Sequence, residues 1–186
     1  MRTEDEQPGI KKRDSGRYMT RSKEATALTR LELAIMRVYE AFGRWAVELH
    51  KLNDEVARPI GFHDIVLLHC IRMRGHKPSV SELLHFQNRH DIANVQYSIK
   101  KLTKCGLVKA CAGSSRKETR ITLTALGTQL TDEYAEVRNE VLISLLQPTQ
   151  DSGEQLAKAA LTLEHLIGTY DQATQAVMNR HILGTS

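Results

Sequence analysis

Apolar residues recur along this chain in two long seams, separated by a shorter and more varied middle. The first seam places Leu28, Leu31, Ile35, Val38, Phe42, Trp45, Leu49, Leu52 and Val56 at alternating spacings of three and four. That period keeps one stripe of a helix apolar over about four heptads, as helices that pack side by side require. It predicts a helix from about Ala25 to Ala57, roughly 50 Å long at the usual rise. A small domain cannot cover that length alone, so a second chain is a natural partner for part of it. The second seam repeats the pattern near the C-terminus with Leu156, Ala160, Leu163, Ile167, Tyr170, Thr174 and Val177.

Between the seams the period changes repeatedly. Pro59 and Gly61 break the first helix, and Phe62 to Met73 is apolar on most faces, which predicts a buried helix. His69 lies in its stripe and reads as a core or pocket histidine. Gly75 and Pro78 end that element. Ser79-Val80-Ser81-Glu82 has capping-box spacing and starts a helix carrying Val80, Leu83 and Leu84 inward. Asp91 is a candidate N-cap for a helix from Ile92 to about Lys104, stopped by Gly106. Ile92, Val95, Ile99 and Leu102 share its inner face. Asn94, Tyr97, Lys100, Lys101 and Lys104 share the opposite one, with Gln96 on the flank.

Leu107 to Ala112 and Thr119 to Leu123 read as two strands around a polar, basic tip. Thr124 caps a further helix, expected to bury Leu130, Tyr134, Val137, Val141 and Leu145, and residues 148–153 form a turn. The expected fold is therefore mainly α with a small antiparallel β-hairpin wing: a winged helix-turn-helix with a helical dimerisation region. Its divisions are a flexible N-terminal arm (1–24), an N-terminal dimerisation helix (25–60), a DNA-binding domain (61–124) and C-terminal dimerisation helices (125–186). The arm is polar and carries Lys11, Lys12, Arg13 and Arg17, which could reach DNA or a partner subunit.

Charge sharpens this picture. The whole chain carries a formal +4. Residues 72–120 hold eleven Lys and Arg against Glu82, Asp91 and Glu118, a net of +8, while residues 125–186 come to −5. A local excess of that size on a helix-helix-hairpin unit is the electrostatic footprint of a duplex-binding surface. The outer face of the Ile92 helix suits the major groove. Asn and Gln pair bidentately with adenine, and Lys reaches guanine or phosphate. Tyr97 can donate to a phosphate or pack on a thymine methyl. Asn94, Gln96 and Tyr97, in the first turns, are the expected base readers. Ser79, Lys100, Lys101, Lys104, Lys109, Arg116, Lys117 and Arg120 complete the expected DNA-contacting set, the cations gripping phosphates.

The order of elements resembles the MarR family of bacterial winged-helix transcriptional regulators. The matching residues are Leu102-Thr103-Lys104-Cys105-Gly106-Leu107-Val108, similar to the family's Leu-x-x-x-Gly-Leu-Val, and Leu123-Thr124-x-x-Gly127 after the wing. The likeness spans roughly residues 28–180. It implies a dimeric regulator, often responsive to a small aromatic effector; the seams themselves call for a homodimer on a pseudo-palindromic duplex, and three cysteines without metal-ligand spacing fit a reducing cytoplasm, where the protein is expected to be nucleoid-associated. It also implies a pocket between the dimerisation helices and the winged domain, for which Met36, Phe42, Trp45, His63 and Leu67 are candidates. Phe42 and Trp45 are equally accounted for as seam residues. One departure stands out: the wing of the family commonly carries Asp-x-Arg where this chain has Ser115-Arg116-Lys117. The acid is missing, and Arg116 or Lys117 would have to enter the minor groove.

Other chemistries find little footing. Neither His63, His69 and His76 nor His85 and His90 show tight zinc-ligand spacing, and Cys70, Cys105 and Cys111 lack a Cys-x-x-Cys pair. No phosphate loop, nucleophile elbow or paired-carboxylate motif appears, so neither an enzyme nor a cofactor is expected. No apolar run approaches a membrane span, and no secretory h-region opens the chain. Two alternatives stay open: a metal- or redox-responsive regulator of the same fold, with Cys105 beside Lys101 and Lys104, and a winged-helix protein-association module without DNA binding.

Overall fold

The first helix, α1 (Lys23–Lys51), has its buried residues, Ala46, Leu49 and His50, near its C-terminal end. The computed structural model describes Met19 and residues 21–51, 60–113, 119–146 and 151–183. Leu52, Val56 and Pro59, the arm up to Arg17, Arg116, Lys117 and Pro148 therefore lie outside the described residues. The other elements are α2 (Phe62–Met73), α3 (Val80–Phe86), α4 (Ile92–Lys104), β1 (Val108–Ala112), β2 (Thr119–Leu123), α5 (Ala125–Val137) and α6 (Ser152–Leu183). The chain divides into two compact units, residues 1–134 and 135–186.

In the first unit α2 is the central rod. Ile65, Leu67, Leu68, Cys70 and Ile71 are buried around it, as its all-round apolarity predicts. Leu83 from α3, Val95 and Leu102 from α4, Leu107, Val108, Ile121 and Leu130 complete one core. Deleting any of the larger side chains would cost about 2–5 kcal/mol. Ser79 and Glu82 form the expected capping box at the start of α3, each side chain accepting from the other residue's backbone N–H. Gly75 and Gly106 both take positive φ, +65° and +74°, at the two stops that the sequence marks.

The hairpin is antiparallel, with Val108 opposite Leu123 and Ala112 opposite Thr119. Thr124 then ties its exit back to its entry. The Thr124 N–H donates to the Leu107 carbonyl, its hydroxyl donates to Gly106 O, and the same hydroxyl caps the Gly127 N–H. Gly127 sits so close that a Cβ there would lie 2.0 Å from Leu107 O. The two sequence motifs are thus halves of one backbone contact, which explains why the second needs glycine.

Three expectations need correction. Asp91 occupies the N-cap position of α4, but no backbone N–H of the helix donates to its side chain. Ile92, expected on the inner face, is 51% exposed. Val141 and Leu145, expected to be buried, are 44% and 74% exposed. Both lie in or just after a π-type stretch at Arg138–Ile143, where the regular α-helical period is lost. The seam residues Leu28, Ile35, Val38 and Phe42 of α1, and Leu156, Leu163, Ile167, Tyr170 and Val177 of α6, are all more than a third exposed.

Candidate nucleic-acid interface

The second helix of the helix-turn-helix, α4, has one face buried in the core and the other open to solvent. Val95 and Leu102 are fully buried, Ser98 nearly so, and Ile99 leans on the same core. Asn94, Gln96, Tyr97, Lys100 and Lys104 are exposed on the other side, and Lys109 is exposed on β1. Tyr97 is 67% exposed. Lys100, Lys104 and Lys109 form no ion pair among the described residues, which leaves them able to meet phosphate.

Two other members of the expected set are already engaged. Lys101 Nζ lies 2.7 Å from Asp64 Oδ2, and the Asp64 side chain is only 6% exposed. Burial alone would raise the pKa of Asp64, but Lys101, the Ser98 hydroxyl and the Gly61 N–H together hold it below the usual range. Lys101 therefore fastens α4 to the start of α2. One position round the helix from Lys100, it meets a buried acid instead of solvent.

Arg120 is fastened likewise. Its Nη1 lies 2.6 Å from Glu82 Oε2 and donates to the Lys77 carbonyl. Glu82 is held below its ordinary pKa first by the Ser79 N–H and then by Arg120. With the Ser79–Arg120 bridge and the Ile121 N–H donating to Pro78 O, these bonds weld β2 to the start of α3. Ser79 is consumed in the same joint through its N–H and hydroxyl oxygen. Lys101, Arg120 and Ser79 are thus structural joints beside the exposed face of α4.

Among the described residues, four of the eleven cations counted in residues 72–120 are ion-paired: Arg72 with Asp132, Arg89 with Asp91, Lys101 with Asp64 and Arg120 with Glu82. Two of the partnering acids, Asp64 and Asp132, come from outside that stretch. A formal +8 therefore overstates the charge presented to a ligand.

A cavity of about 390 Å³ lies beside α4, lined by His63, Asp64, Arg89, Asp91, Tyr97 and Lys101 among others. His63 also meets the Tyr39 hydroxyl at 3.1 Å. The five candidate ligand residues have different surroundings among the described residues. Met36 lies in an open groove on α1, Phe42 packs edge-on against Phe62, Trp45 packs edge-on against Tyr134, and Leu67 is fully buried in the core. Cys70 is buried, which pushes its thiol pKa up. No group of three or more His, Cys, Asp or Glu is placed to hold a metal ion among the described residues. Among those residues no helix is long and apolar enough to cross a membrane.

Residues 61–127 match the winged helix DNA-binding domain family. No curated protein matches the chain. Among solved structures, the chain is similar to a MarR/EmrR family transcriptional regulator from Acinetobacter sp. ADP1, at 17% identity and a TM-score of 0.60, covering 77% of this chain and 96% of that one. It is similar at 17% identity and a TM-score of 0.59 to a mutant MarR from E. coli complexed with operator DNA, covering 76% and 99%. The organohalide-sensing RdhR regulator, in its 2,4-dichlorophenol-bound form, matches at 19% identity and a TM-score of 0.58, covering 89% and 90%. The chain thus carries a winged helix DNA-binding domain on the fold that MarR-family transcriptional regulators share.

Proposed function

We propose that this chain, built on the MarR-type winged-helix fold, is a transcriptional regulator that binds double-stranded DNA sequence-specifically as a homodimer. The observation that carries the reading is α4 itself. Its apolar face is sealed into the core and locked by Lys101 to Asp64, while Asn94, Gln96, Tyr97, Lys100 and Lys104 face outward on the other. Asn, Gln and Tyr at the start of such a helix suit base edges, and the lysines suit the flanking phosphates. The wing tip, with Arg116 and Lys117, is assigned to the neighbouring minor groove.

The exposed apolar stripes of α1 and α6 support a second copy of this chain as partner, since contiguous bare apolar surface marks association. A two-fold dimer calls for a pseudo-palindromic operator with half-sites about one helical turn, roughly 10 bp, apart or a multiple of it. The divisions proposed are an arm to residue 24, a dimerisation helix to 60, the DNA-binding domain over 61–124 and dimerisation helices beyond. A cytoplasmic, nucleoid-associated site of action follows from this reading, and no enzymatic activity is assigned. Selection of bound duplexes from a random-sequence library tests it: a two-fold motif protected in footprinting is expected, and enrichment of no motif would overturn the reading.

A small aromatic effector is the finer part of the proposal. RdhR shares the fold in a dichlorophenol-bound form, and α1 contributes Met36, Phe42 and Trp45 beside His63 and Leu67 of α2. The apolar stripe of α1 that carries Met36 and Phe42 is exposed, and in this reading a second copy completes the pocket. A mobility-shift screen of aromatic acids and phenols on the selected operator decides it; no compound loosening the complex would remove the effector.

A further inference from the structure

Asp91 stands where a helix cap should be and does something else. Its two carboxylate oxygens receive Arg89, Nε at 2.8 Å on Oδ1 and Nη2 on Oδ2. The same Oδ2 accepts from Asn94 Nδ2 at 2.9 Å. Arg89 is itself largely covered, its side chain 21% exposed, so the clamp has a fixed base. Asp91 is held far below the ordinary carboxylate pKa, first by Arg89 and then by Asn94, and remains ionised at any physiological pH.

An ionised carboxylate can only accept hydrogen bonds, so the group of Asn94 facing Asp91 must be its nitrogen. That settles which way the amide points. One N–H is spent on Asp91, and the carbonyl oxygen with the remaining N–H is left as a donor–acceptor edge. Adenine presents the complementary pair in the major groove, an N6 amino donor beside an N7 acceptor. A freely rotating Asn side chain would have to lose that freedom on binding; here the loss is already incurred in the free protein.

We infer that Asp91, clamped by Arg89, is a positioning residue that presets the Asn94 amide for adenine and so fixes an A·T pair in the operator. The inference rests on the sequence-specific DNA-binding reading above. It has a second consequence: Asp91 keeps Arg89 away from phosphate, so it suppresses random binding while sharpening specific binding.

The test selects random-sequence duplexes with the full-length protein and with Asp91→Ala, Asn94→Ala, the double variant and Arg89→Ala, then measures affinity for the enriched and for random duplexes. The expected result has three parts. Asn94→Ala loses one A·T position in each half-site. Asp91→Ala loses the same position, with discrimination there falling about tenfold while random-duplex affinity holds or rises. The double variant is no worse than Asn94→Ala alone, because Asp91 acts through Asn94. Arg89→Ala should weaken the same position without changing others, and serves as the deciding arm if thermal unfolding shows Asp91→Ala to be misfolded.

An unchanged motif in Asp91→Ala, or in Arg89→Ala when that arm decides, overturns the inference alone. So do losses that multiply in the double variant, which would make Asp91 an independent contact. A wild-type protein that enriches no motif overturns the functional reading and this inference together.

Discussion

Helices α4 and α6 share an amphipathic design and meet opposite surroundings. In α4 the apolar positions Val95 and Leu102 are 0% exposed, and even a lysine on that side finds a buried partner. In α6 the corresponding positions are bare, with Leu156 at 56%, Leu163 at 40% and Val177 at 67% exposed. The first helix needs nothing beyond its own chain to be placed, so its polar face can be presented rigidly to a ligand. The second leaves its apolar stripe exposed among the described residues, and the proposed homodimer assigns that stripe to a second copy. The contrast separates the part proposed to read DNA, whose apolar face is buried, from the part proposed to assemble, whose apolar stripe is exposed.

The largest expected effect attacks the first half of that comparison. Lys101→Met would leave Asp64 buried beside only the Ser98 hydroxyl and the Gly61 N–H, at a cost of about 3 kcal/mol in thermal unfolding. Adding Asp64→Asn should recover part of it, since the uncompensated charge is then gone. A loss below about 1 kcal/mol would mean that the pair behaves as a surface ion pair.

The next attacks the second half. Replacing Leu163 and Ile167 by Asp should weaken self-association by about 2 kcal/mol or more, roughly thirtyfold or greater, in sedimentation. The unfolding transition of the winged domain should stay where it was. A dimer that survives unchanged would place the interface elsewhere.

Lys104→Ala sharpens the comparison within α4 itself. It should weaken specific and random duplexes alike and flatten the salt dependence by about 0.9 in slope for each phosphate no longer neutralised. It should not touch stability, unlike its neighbour Lys101.

The smallest effect concerns the root of α1. His50 is 4% exposed, its Nδ1 meets the Ala46 carbonyl at 2.7 Å, and burial lowers its pKa below 6.5 despite that bond. The unfolded chain then takes up a proton more readily than the folded one. Stability is fully present above about pH 6.5 and falls as the pH drops below it. Comparing unfolding at pH 7.5 and 5.5 should show this loss, and His50→Gln should reduce it.

Much of this arrangement is legible in the sequence for identifiable reasons. The capping box at Ser79 and Glu82, the glycine stops at 75 and 106, and the strand alternation around Ile121 are local signals, and each sets local structure. The long-range pairings are not legible. Nothing in the spacing of Lys100 and Lys101 says that one meets solvent and the other an acid 37 residues earlier, on another helix. Arg120 reads as a phosphate contact in the sequence because its partner Glu82 lies 38 residues away. The Asp91–Asn94 bond does have a sequence signal, a carboxylate three residues before an amide at a helix start. It is masked by the stronger expectation that an Asp there caps the backbone.

The most direct measurement compares Gln96→Ala, Asn94→Ala and Lys100→Ala on the selected operator and on random duplex across a range of salt. The account predicts that the first two cost about 1–3 kcal/mol on the operator and little on random DNA, with the salt slope unchanged. Lys100→Ala should weaken both duplexes and flatten the slope. Equal losses on both duplexes for Gln96→Ala and Asn94→Ala, or none on either, would contradict the claim that α4 reads sequence.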